Sequence, residues 1–338
     1  MNSSSLERYV FDLSTTEWAE MPAYEVINAA VFAARGCVNG YPDHSAVKVR
    51  EVLAERHGLQ ADQFVLGNGA GNLLQTAALT LLSPDDDLVT PWPSYPLYPL
   101  MARRAGAHAV PVPGHEPEAI LGAVTGDTRI VVLCNPNDPT GHFLTADRID
   151  LIAARLPERV VLVVDEALRD FVDAERPTAT LDLLDEHPRL ILVRTFSKAF
   201  GLAGMRVGYA LGGAGSEALL EQLEPPLGVG ALAQAGALEA VRKTIRDVER
   251  RSQRVIAERS RLADALADLN LDAAPSQTNT LWVSAPGIEG EELAARLDHM
   301  AVRVRAGATF GATDHVRVQV RDAAASDRLV RAMETAIG

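Results

Sequence analysis

The sequence predicts an α/β fold: a large domain with a mostly parallel seven-stranded sheet between helices, followed by a smaller α+β domain. Seven short apolar runs lie between residues 64 and 211, separated by stretches with helical spacing. Such alternation favours a parallel sheet whose two faces are covered by helices. Past residues 225–226, which are both proline, long helical patterns and then alternating segments indicate a second unit.

The strands of the large domain are predicted in order from the seven runs. They lie at residues 64–66, 87–89, 108–110, 129–134, 159–164, 190–193 and 206–211. Each run is short and apolar, which is typical of a buried strand. We therefore place the large domain at residues 45–225.

The small domain is predicted at residues 226–338. Residues 230–269 are rich in Ala, Leu, Arg and Glu with helical spacing, which indicates one or two long helices. Residues 280–283, 302–305 and 316–320 alternate like half-exposed strands of a smaller sheet. Residues 323–337 predict a closing helix.

Composition and charge restrict the partners. The 338 residues are 47% hydrophobic and 23% charged, which suits a globular chain of this two-domain size. A net charge of −13 argues against a nucleic-acid partner and against an anionic membrane surface. No apolar run approaches the roughly 20 residues that span a bilayer. Two cysteines and an N-terminus without a signal-peptide pattern lead us to expect a soluble, cytoplasmic protein.

The most informative chemistry follows the predicted strand at 190–193. Lys198 lies just past the carboxyl end of that strand, where open α/β folds place their ligands. Its amine can condense with an aldehyde, while Thr195, Ser197 and Arg206 can hold a phosphate. An aldehyde together with a phosphate describes pyridoxal phosphate, which proteins bind through a Schiff-base lysine.

The segment 195–209 resembles the lysine motif of fold-type-I pyridoxal-phosphate enzymes of the class I/II aminotransferase family. Within that family it is most similar to the histidinol-phosphate aminotransferase and threonine-phosphate decarboxylase branch, and the resemblance runs in matching order along nearly the whole chain. It implies a pyridoxal 5'-phosphate cofactor and amino transfer from an amino acid or related amine. It also implies a homodimer whose sites are shared between subunits. Lys198 and Asp165 are the catalytic candidates.

Asp165 ends the apolar run 160–164, where a buried carboxylate is costly unless it is paired. The pyridinium nitrogen of the cofactor would pair it. The alternative is that Asp165 caps a following helix. The family's Asp-Glu-Ala motif matches residues 165–167 and favours the cofactor role.

Two further motifs are similar to cofactor contacts of the family. Residues 67–72 form a glycine-rich turn that opens a helix, and the resemblance makes Ala70 and Gly71 amide donors to the phosphate. A tight connection without function is the alternative.

Two tyrosines also match family positions. Tyr95 matches the aromatic residue that stacks on the pyridine ring, although burial in the core is an alternative. Tyr41 matches a tyrosine that reaches the phosphate of the neighbouring subunit. The resemblance also implies that segment 1–44 packs with the small domain or with the partner subunit.

The sequence departs from the family at two positions. Asp138 replaces an asparagine that donates to the cofactor's phenolic oxygen, and Leu168 replaces an aromatic residue near the same atom. Loss of donors disfavours the phenolate. Decarboxylation, elimination or cyclisation with the same cofactor therefore stays an alternative to amino transfer. A regulatory domain that only binds the cofactor is less favoured, because the chain is acidic and carries no basic N-terminal extension.

Three residues are candidates for the substrate. Arg317 matches the arginine that clamps a substrate carboxylate, Arg305 is a second candidate, and Glu17 can meet a cationic group. Residues 13–18 lack the Asn-Glu-Asn-Pro stretch of the histidinol-phosphate enzymes, which argues against that substrate. The eight histidines show no metal-ligand spacing, so we expect no metal. The sequence leaves the substrate, the amino acceptor and the pathway open.

Overall fold

A computed structural model describes residues 10–338; the first nine residues of the predicted N-terminal segment, which carry most of the argument against a signal peptide, lie outside the described part. The strands are β1 (Phe11–Asp12), β2 (Phe64–Gly67), β3 (Asp87–Trp92), β4 (His108–Pro113), β5 (Thr128–Cys134), β6 (Val161–Asp165), β7 (Leu190–Thr195), β8 (Gly208–Gly212), β9 (Asp272–Ala273), β10 (Thr280–Ser284), β11 (Val302–Arg303), β12 (Arg305–Ala306) and β13 (His315–Gln319).

The helices alternate with these strands in the first two thirds of the chain and dominate the last third. They are α1 (Tyr24–Cys37), α2 (Val47–His57), α3 (Ala70–Leu81), α4 (Leu97–Arg104), α5 (Pro117–Gly122), α6 (Ala146–Arg155), α7 (Glu217–Leu223), α8 (Ala231–Lys243), α9 (Ile245–Ala267), α10 (Gly290–His299) and α11 (Ala323–Ile337).

The central sheet has seven strands in the order β2-β8-β7-β6-β5-β3-β4. All neighbours are parallel except β8, which is antiparallel to both β2 and β7. The predicted fold class is therefore confirmed. The last predicted run begins two residues early, because Arg206 has a left-handed backbone (φ 52°) at the end of a 3-10 turn and β8 starts only at Gly208.

Helices on both faces bury the central strands. Val161 and Val163 of β6 pack in one apolar cluster with side chains of α3 and α4, whereas Leu162 and Val164 pack in another with side chains of α6 and α9. Alternate side chains of a strand point to opposite faces, so both faces must be covered. Each such side chain contributes about 1.5–3 kcal/mol when fully buried.

The register of the parallel strands brings their carboxyl ends to one edge. Cys134 at the end of β5 lies beside Asp165, and Asp165 lies beside Val193 of β7. Side chains that follow these strands therefore converge, which is where open α/β sheets bind ligands.

The last third of the chain forms a four-stranded antiparallel sheet in the order β12-β13-β10-β9. The predicted run 302–305 is split: Val302–Arg303 pairs with β1 in a separate two-stranded parallel sheet, and Arg305–Ala306 joins the larger one. The helical stretch forms two helices, α8 and α9. The domain boundaries themselves remain predictions.

The N-terminal segment contacts elements of the predicted small domain. Besides the β1–β11 pairing, the backbone N–H of Gln319 donates to the carbonyl of Leu13 (2.9 Å), and α1 packs against α8. Within residues 10–338, no helix is both long and apolar enough to cross a membrane. Cys37 and Cys134 are free thiols.

Candidate active site

A cavity of about 370 Å³ lies at the carboxyl edge of β5, β6 and β7, a size that suits a small-molecule ligand. Its walls include Ser14, Thr15, Thr16, Glu17, Ala70, Gly71, Tyr95, Asp138, Asp165, Leu168, Thr195, Ser197, Lys198, Arg206, Arg305 and Arg317. The structure thus brings every predicted site residue to one cavity except Tyr41. Tyr41 is 91% exposed and does not line it.

The first wall of the cavity is the start of α3. Gly69 precedes the helix with φ 85°, and no side chain caps its N-terminus. A Cβ at Gly69 would overlap the Arg206 guanidinium, which donates to the carbonyl of Asn68 (3.4 Å). Glycine therefore allows the guanidinium to approach the helix start. The amides of Ala70 and Gly71, the helix dipole and this cation together favour an anion.

The hydroxyls of Thr195 and Ser197 complete this group of anion-binding donors. We call the group, formed by Ala70, Gly71, Thr195, Ser197 and Arg206, the anion cradle. Thr195 Oγ1 accepts from the Ser197 backbone N–H (3.1 Å) and donates to Ser197 Oγ (3.0 Å), and Arg206 Nη1 reaches Ser197 Oγ at 3.5 Å. Hydroxyls, amides and a guanidinium are the donors that a phosphate requires. The donor set therefore fits the phosphate of pyridoxal phosphate.

Lys198 follows β7 and is half-buried, with its Nζ hydrogen-bonded to Thr16 Oγ1. Burial lowers the pKa of Lys198 from its ordinary value, although the nearby Asp138 carboxylate raises it. A lowered pKa increases the fraction of neutral amine, the form that attacks an aldehyde.

Asp165 is 4% exposed. Tyr98 Oη donates to its Oδ2 (2.9 Å) and the Ala167 N–H donates to its Oδ1 (3.1 Å). Burial raises the pKa of Asp165 to about 6, although both hydrogen bonds lower it. The carboxylate caps no α-helix, because a 3-10 turn at Arg169–Phe171 follows. A buried carboxylate with a raised pKa fits a ligand that brings a cationic nitrogen.

We predict that Tyr98→Phe weakens catalysis by the holoenzyme through Asp165. The Tyr98 hydrogen bond lowers the pKa of Asp165, so its removal raises that pKa and Asp165 loses its charge at a higher pH. Loss of a hydrogen bond to a charged group costs about 1.5–3 kcal/mol. We therefore expect kcat to fall roughly 10-fold. The pH profile of kcat checks this: its acid limb should move to higher pH. Tyr209→Phe, which removes a buried hydroxyl outside the cavity, should leave the profile unchanged.

Asp138 and Arg317 contact each other directly. Arg317 Nη1 lies 2.8 Å from both carboxylate oxygens of Asp138, and its Nη2 donates to the carbonyl of Ser14 (2.8 Å). The guanidinium also lies over the Phe310 ring, 4.8 Å from its centroid. The residue predicted beside the cofactor therefore pairs with the residue predicted to bind the substrate carboxylate.

The other predicted residues lie at the mouth or on the wall. Arg305 and Glu17 are exposed at the cavity. Tyr95 is 39% exposed, and its ring makes an edge-to-face contact with Tyr98 (5.8 Å between centroids). Leu168 lines the cavity with an aliphatic side chain where the family has an aromatic one.

Sequence reasoning did not single out Ser14, Thr16 and Tyr98. Thr16 is fixed because its carbonyl accepts from Asn279 Nδ2 (3.1 Å). Tyr98 lies in the first turn of α4, and Tyr95 precedes that helix, so helical spacing gave no signal for Tyr98. Nothing in the local sequence marks Ser14 or Thr16.

A cluster of possible metal ligands lies outside the cavity. One ligand atom from each of Asp150, Glu186 and His187 lies within 4.8 Å of the others, and His187 Nε2 contacts Asp150 Oδ1 at 2.6 Å. The hydrogen bond between His187 and Asp150 and the adjacency of Glu186 to His187 in the chain account for the proximity. The expected absence of a metal stays a prediction.

Comparison with known proteins assigns the family. The profile described as aminotransferase class I and II matches residues 9–333. An aromatic amino acid aminotransferase of Corynebacterium efficiens is 38% identical over 328 residues, which cover 95% of this chain and 92% of the relative. Histidinol-phosphate aminotransferase 1 of Nitrosococcus oceani is 35% identical over 313 residues, covering 91% and 84%.

Comparison with solved structures supports the same family. The crystal structure of histidinol-phosphate aminotransferase from Sinorhizobium meliloti in complex with pyridoxal-5'-phosphate superimposes with a TM-score of 0.85. It is 26% identical and covers 98% of this chain, which in turn covers 91% of it.

The mostly parallel seven-stranded sheet, with a lysine, a buried aspartate and an anion cradle at its carboxyl edge, is that of a fold-type-I pyridoxal-phosphate enzyme. More narrowly, the chain belongs to the class I and II aminotransferase family. The predicted family, enzyme class and cofactor are thereby confirmed, as is the likeness to histidinol-phosphate aminotransferases.

Proposed function

We propose that this cavity transfers an amino group to or from an amino acid or related amine, with Lys198 as the catalytic amine. The observation that carries the proposal is the placement of Lys198, Asp165 and the anion cradle around one cavity. When bound, pyridoxal phosphate supplies an aldehyde that joins an amine and a ring that accepts electrons. The relatives' names make aromatic amino acids and histidinol phosphate the first substrates to test.

Each wall of the cavity has a role in this proposal. The cradle of Ala70, Gly71, Thr195, Ser197 and Arg206 holds the phosphate. Asp165 would hold the ring nitrogen of the cofactor in its protonated form, and Tyr95 would contact the ring. With the ring fixed, Arg317 orients the substrate by its carboxylate.

Lys198 acts as base and acid. Its Nζ takes the proton from the substrate carbon that carries the amino group, a transfer that requires the neutral amine. Burial, which lowers the pKa of Lys198, favours that form. Thr16 Oγ1 positions the Nζ by its hydrogen bond.

The test is a product assay with the purified holoenzyme. Phenylalanine, tyrosine and histidinol phosphate are each incubated with 2-oxoglutarate, and glutamate is measured. Formation of glutamate in step with loss of the donor supports the proposal. Carbon dioxide or ammonia released without glutamate contradicts it and favours the decarboxylation or elimination alternatives.

We also propose that the protein is a homodimer in the cytoplasm. Tyr24, Phe32 and Val38 are 73–77% exposed on α1 or directly after it, close in sequence to the exposed Tyr41. The opposite face of α1 packs on α8. An exposed apolar face of this kind marks an interaction surface. A partner seated there would bring its Tyr41 toward the neighbouring cavity.

The free thiols Cys37 and Cys134 support the cytoplasm, a reducing compartment, as the location of the protein.

Phe32→Glu should therefore shift the protein from dimer to monomer. A charge in a buried apolar interface costs several kcal/mol, so the dimer dissociation constant should rise by about 100-fold or more. Sedimentation velocity across a concentration series measures the shift. Leu151→Glu, at an exposed apolar position on α6, is the matched control and should stay dimeric. A monomeric wild type, or a dimeric Phe32→Glu variant, contradicts the proposed interface.

A further inference from the structure

The ion pair with Asp138 leaves the Arg317 guanidinium without two free N–H groups that could bind a ligand carboxylate together. Nη1 contacts both Asp138 oxygens at 2.8 Å, and Nη2 donates to the carbonyl of Ser14 at 2.8 Å. The remaining nitrogen, Nε, has no hydrogen-bond partner among the described residues and is shielded from solvent. A carboxylate from a ligand can therefore bind two nitrogens of Arg317 only after it displaces Asp138.

Displacement has an electrostatic cost. Asp138 is 8% exposed and Arg317 is 6% exposed, so the pair is largely removed from water. Breaking such a pair leaves a buried carboxylate without its partner, which destabilises strongly. The incoming carboxylate gains contacts similar to those that Asp138 loses, so the exchange contributes little net binding free energy. An asparagine at position 138 would place no negative charge against Arg317 and would impose no such competition.

We propose that Asp138 is a specificity-determining residue: a built-in competitor that occupies Arg317 and weakens the binding of every substrate carboxylate there. The inference rests on the proposed function, in which Arg317 receives the substrate carboxylate. It deepens that function by stating which substrates lose affinity. Amino and oxo acids lose it, whereas amines and amino alcohols without a carboxylate on the reacting carbon do not. Asp138 therefore reduces the difference in affinity between amino or oxo acids and amines that lack the carboxylate.

The charges around the pair support this assignment. Asp138, Arg317, Glu17 and Asp165 all act electrostatically on Lys198, and Arg305 lines the same cavity opposite Arg317 in the sheet register. An additional carboxylate from a ligand would be the fourth negative group in this part of the site. Converting Asp138 to asparagine lowers that count by one and frees Arg317 at the same time.

The test uses non-reacting ligands on the holoenzyme. Calorimetric titrations measure the dissociation constants of 3-phenylpropionate and of 3-phenylpropan-1-ol, which differ in the carboxylate, with the wild type and with Asp138→Asn. We expect Asp138→Asn to bind the acid at least about 10-fold more tightly than the wild type does, because a hydrogen bond to a charged group contributes about 1.5–3 kcal/mol, and about 1.4 kcal/mol is a factor of 10 in affinity. The dissociation constant for the alcohol should stay within about twofold of the wild-type value. The ratio of the two constants cancels effects common to both ligands.

Asp147→Asn, which removes one exposed carboxylate on α6, is the charge-matched control and should leave the ratio unchanged. An Asp138→Asn protein that binds 3-phenylpropionate no more tightly than the wild type overturns the inference. Cofactor absorbance and glutamate formation by the wild type are recorded separately. Their loss counts against the proposed function, whereas an unmoved ratio in an active enzyme counts against the role of Asp138 alone.

Discussion

Replacing Lys198 by alanine is expected to lower the rate of amino transfer by about four orders of magnitude or more, because general acid–base catalysis alone contributes up to that much. Alanine also removes the nucleophilic amine. Among the described residues that line the cavity, no other side chain carries an amine, and the remaining cations there are the guanidinium groups of Arg206, Arg305 and Arg317. No neighbour can therefore replace it.

Single-turnover and steady-state assays with the best donor measure the loss. The chain contains three lysines, and the other two, Lys48 and Lys243, are exposed on α2 and α8. Lys48→Ala is therefore a clean control and should keep full activity. Wild-type turnover in Lys198→Ala would show that another group carries the chemistry.

The small number of lysines also allows a chemical test of the same prediction. After borohydride reduction of the holoenzyme and proteolysis, the mass of the cofactor should appear on the peptide that carries Lys198. Its appearance on the peptide of Lys48 or Lys243 would contradict the assignment.

The fold was predictable from sequence because the central strands are buried on both faces. A strand such as β6 is apolar at every position before the terminal Asp165, so its run stands out from the amphipathic helices around it. The prediction for the last third of the chain was less accurate at residues 302–305, because alternation indicates a strand but does not identify the strand it pairs with. Residues 302–303 pair with β1, which is distant in sequence, and residues 305–306 pair with β13.

The site was predictable only in part. Lys198 and Asp165 stand at strand ends in recognisable motifs, and the sheet register brings them together. The contact of Lys198 with Thr16 spans 182 residues, and that of Arg317 with Asp138 spans 179. No local pattern encodes such pairings, because the packing of residues 14–16 and of β13 over the sheet edge creates them.

Asp165→Asn should separate activity from stability. In the holoenzyme, asparagine carries no charge to hold a protonated ring nitrogen, and kcat should fall by about 100- to 1000-fold, the range for loss of one preorganised electrostatic contact. The assay is initial-rate kinetics at saturating cofactor. Asp147→Asn serves again as the control for removal of a carboxylate and should retain wild-type kcat.

In the cofactor-free chain the same substitution should increase stability at neutral pH. Burial raises the pKa of Asp165 to about 6 from 3.8, so the folded chain holds this proton more tightly than the unfolded chain does. The folded wild type therefore loses stability as pH rises from about 4 to about 6, and it does not regain it above that range. Asparagine avoids this cost, which is about 3 kcal/mol at roughly 1.4 kcal/mol per pKa unit.

Urea unfolding of both cofactor-free chains between pH 4 and pH 7.5 measures the difference. It should be small at pH 4, grow through pH 6 and then stay constant, with the variant the more stable protein. Added cofactor should then stabilise the wild type more than the variant, because only the wild type offers the ring nitrogen a carboxylate. A variant less stable than the wild type at pH 7.5 would mean that Asp165 is already paired within the chain. The structure would then hold no electrostatic reason for a cationic ligand at the end of β6.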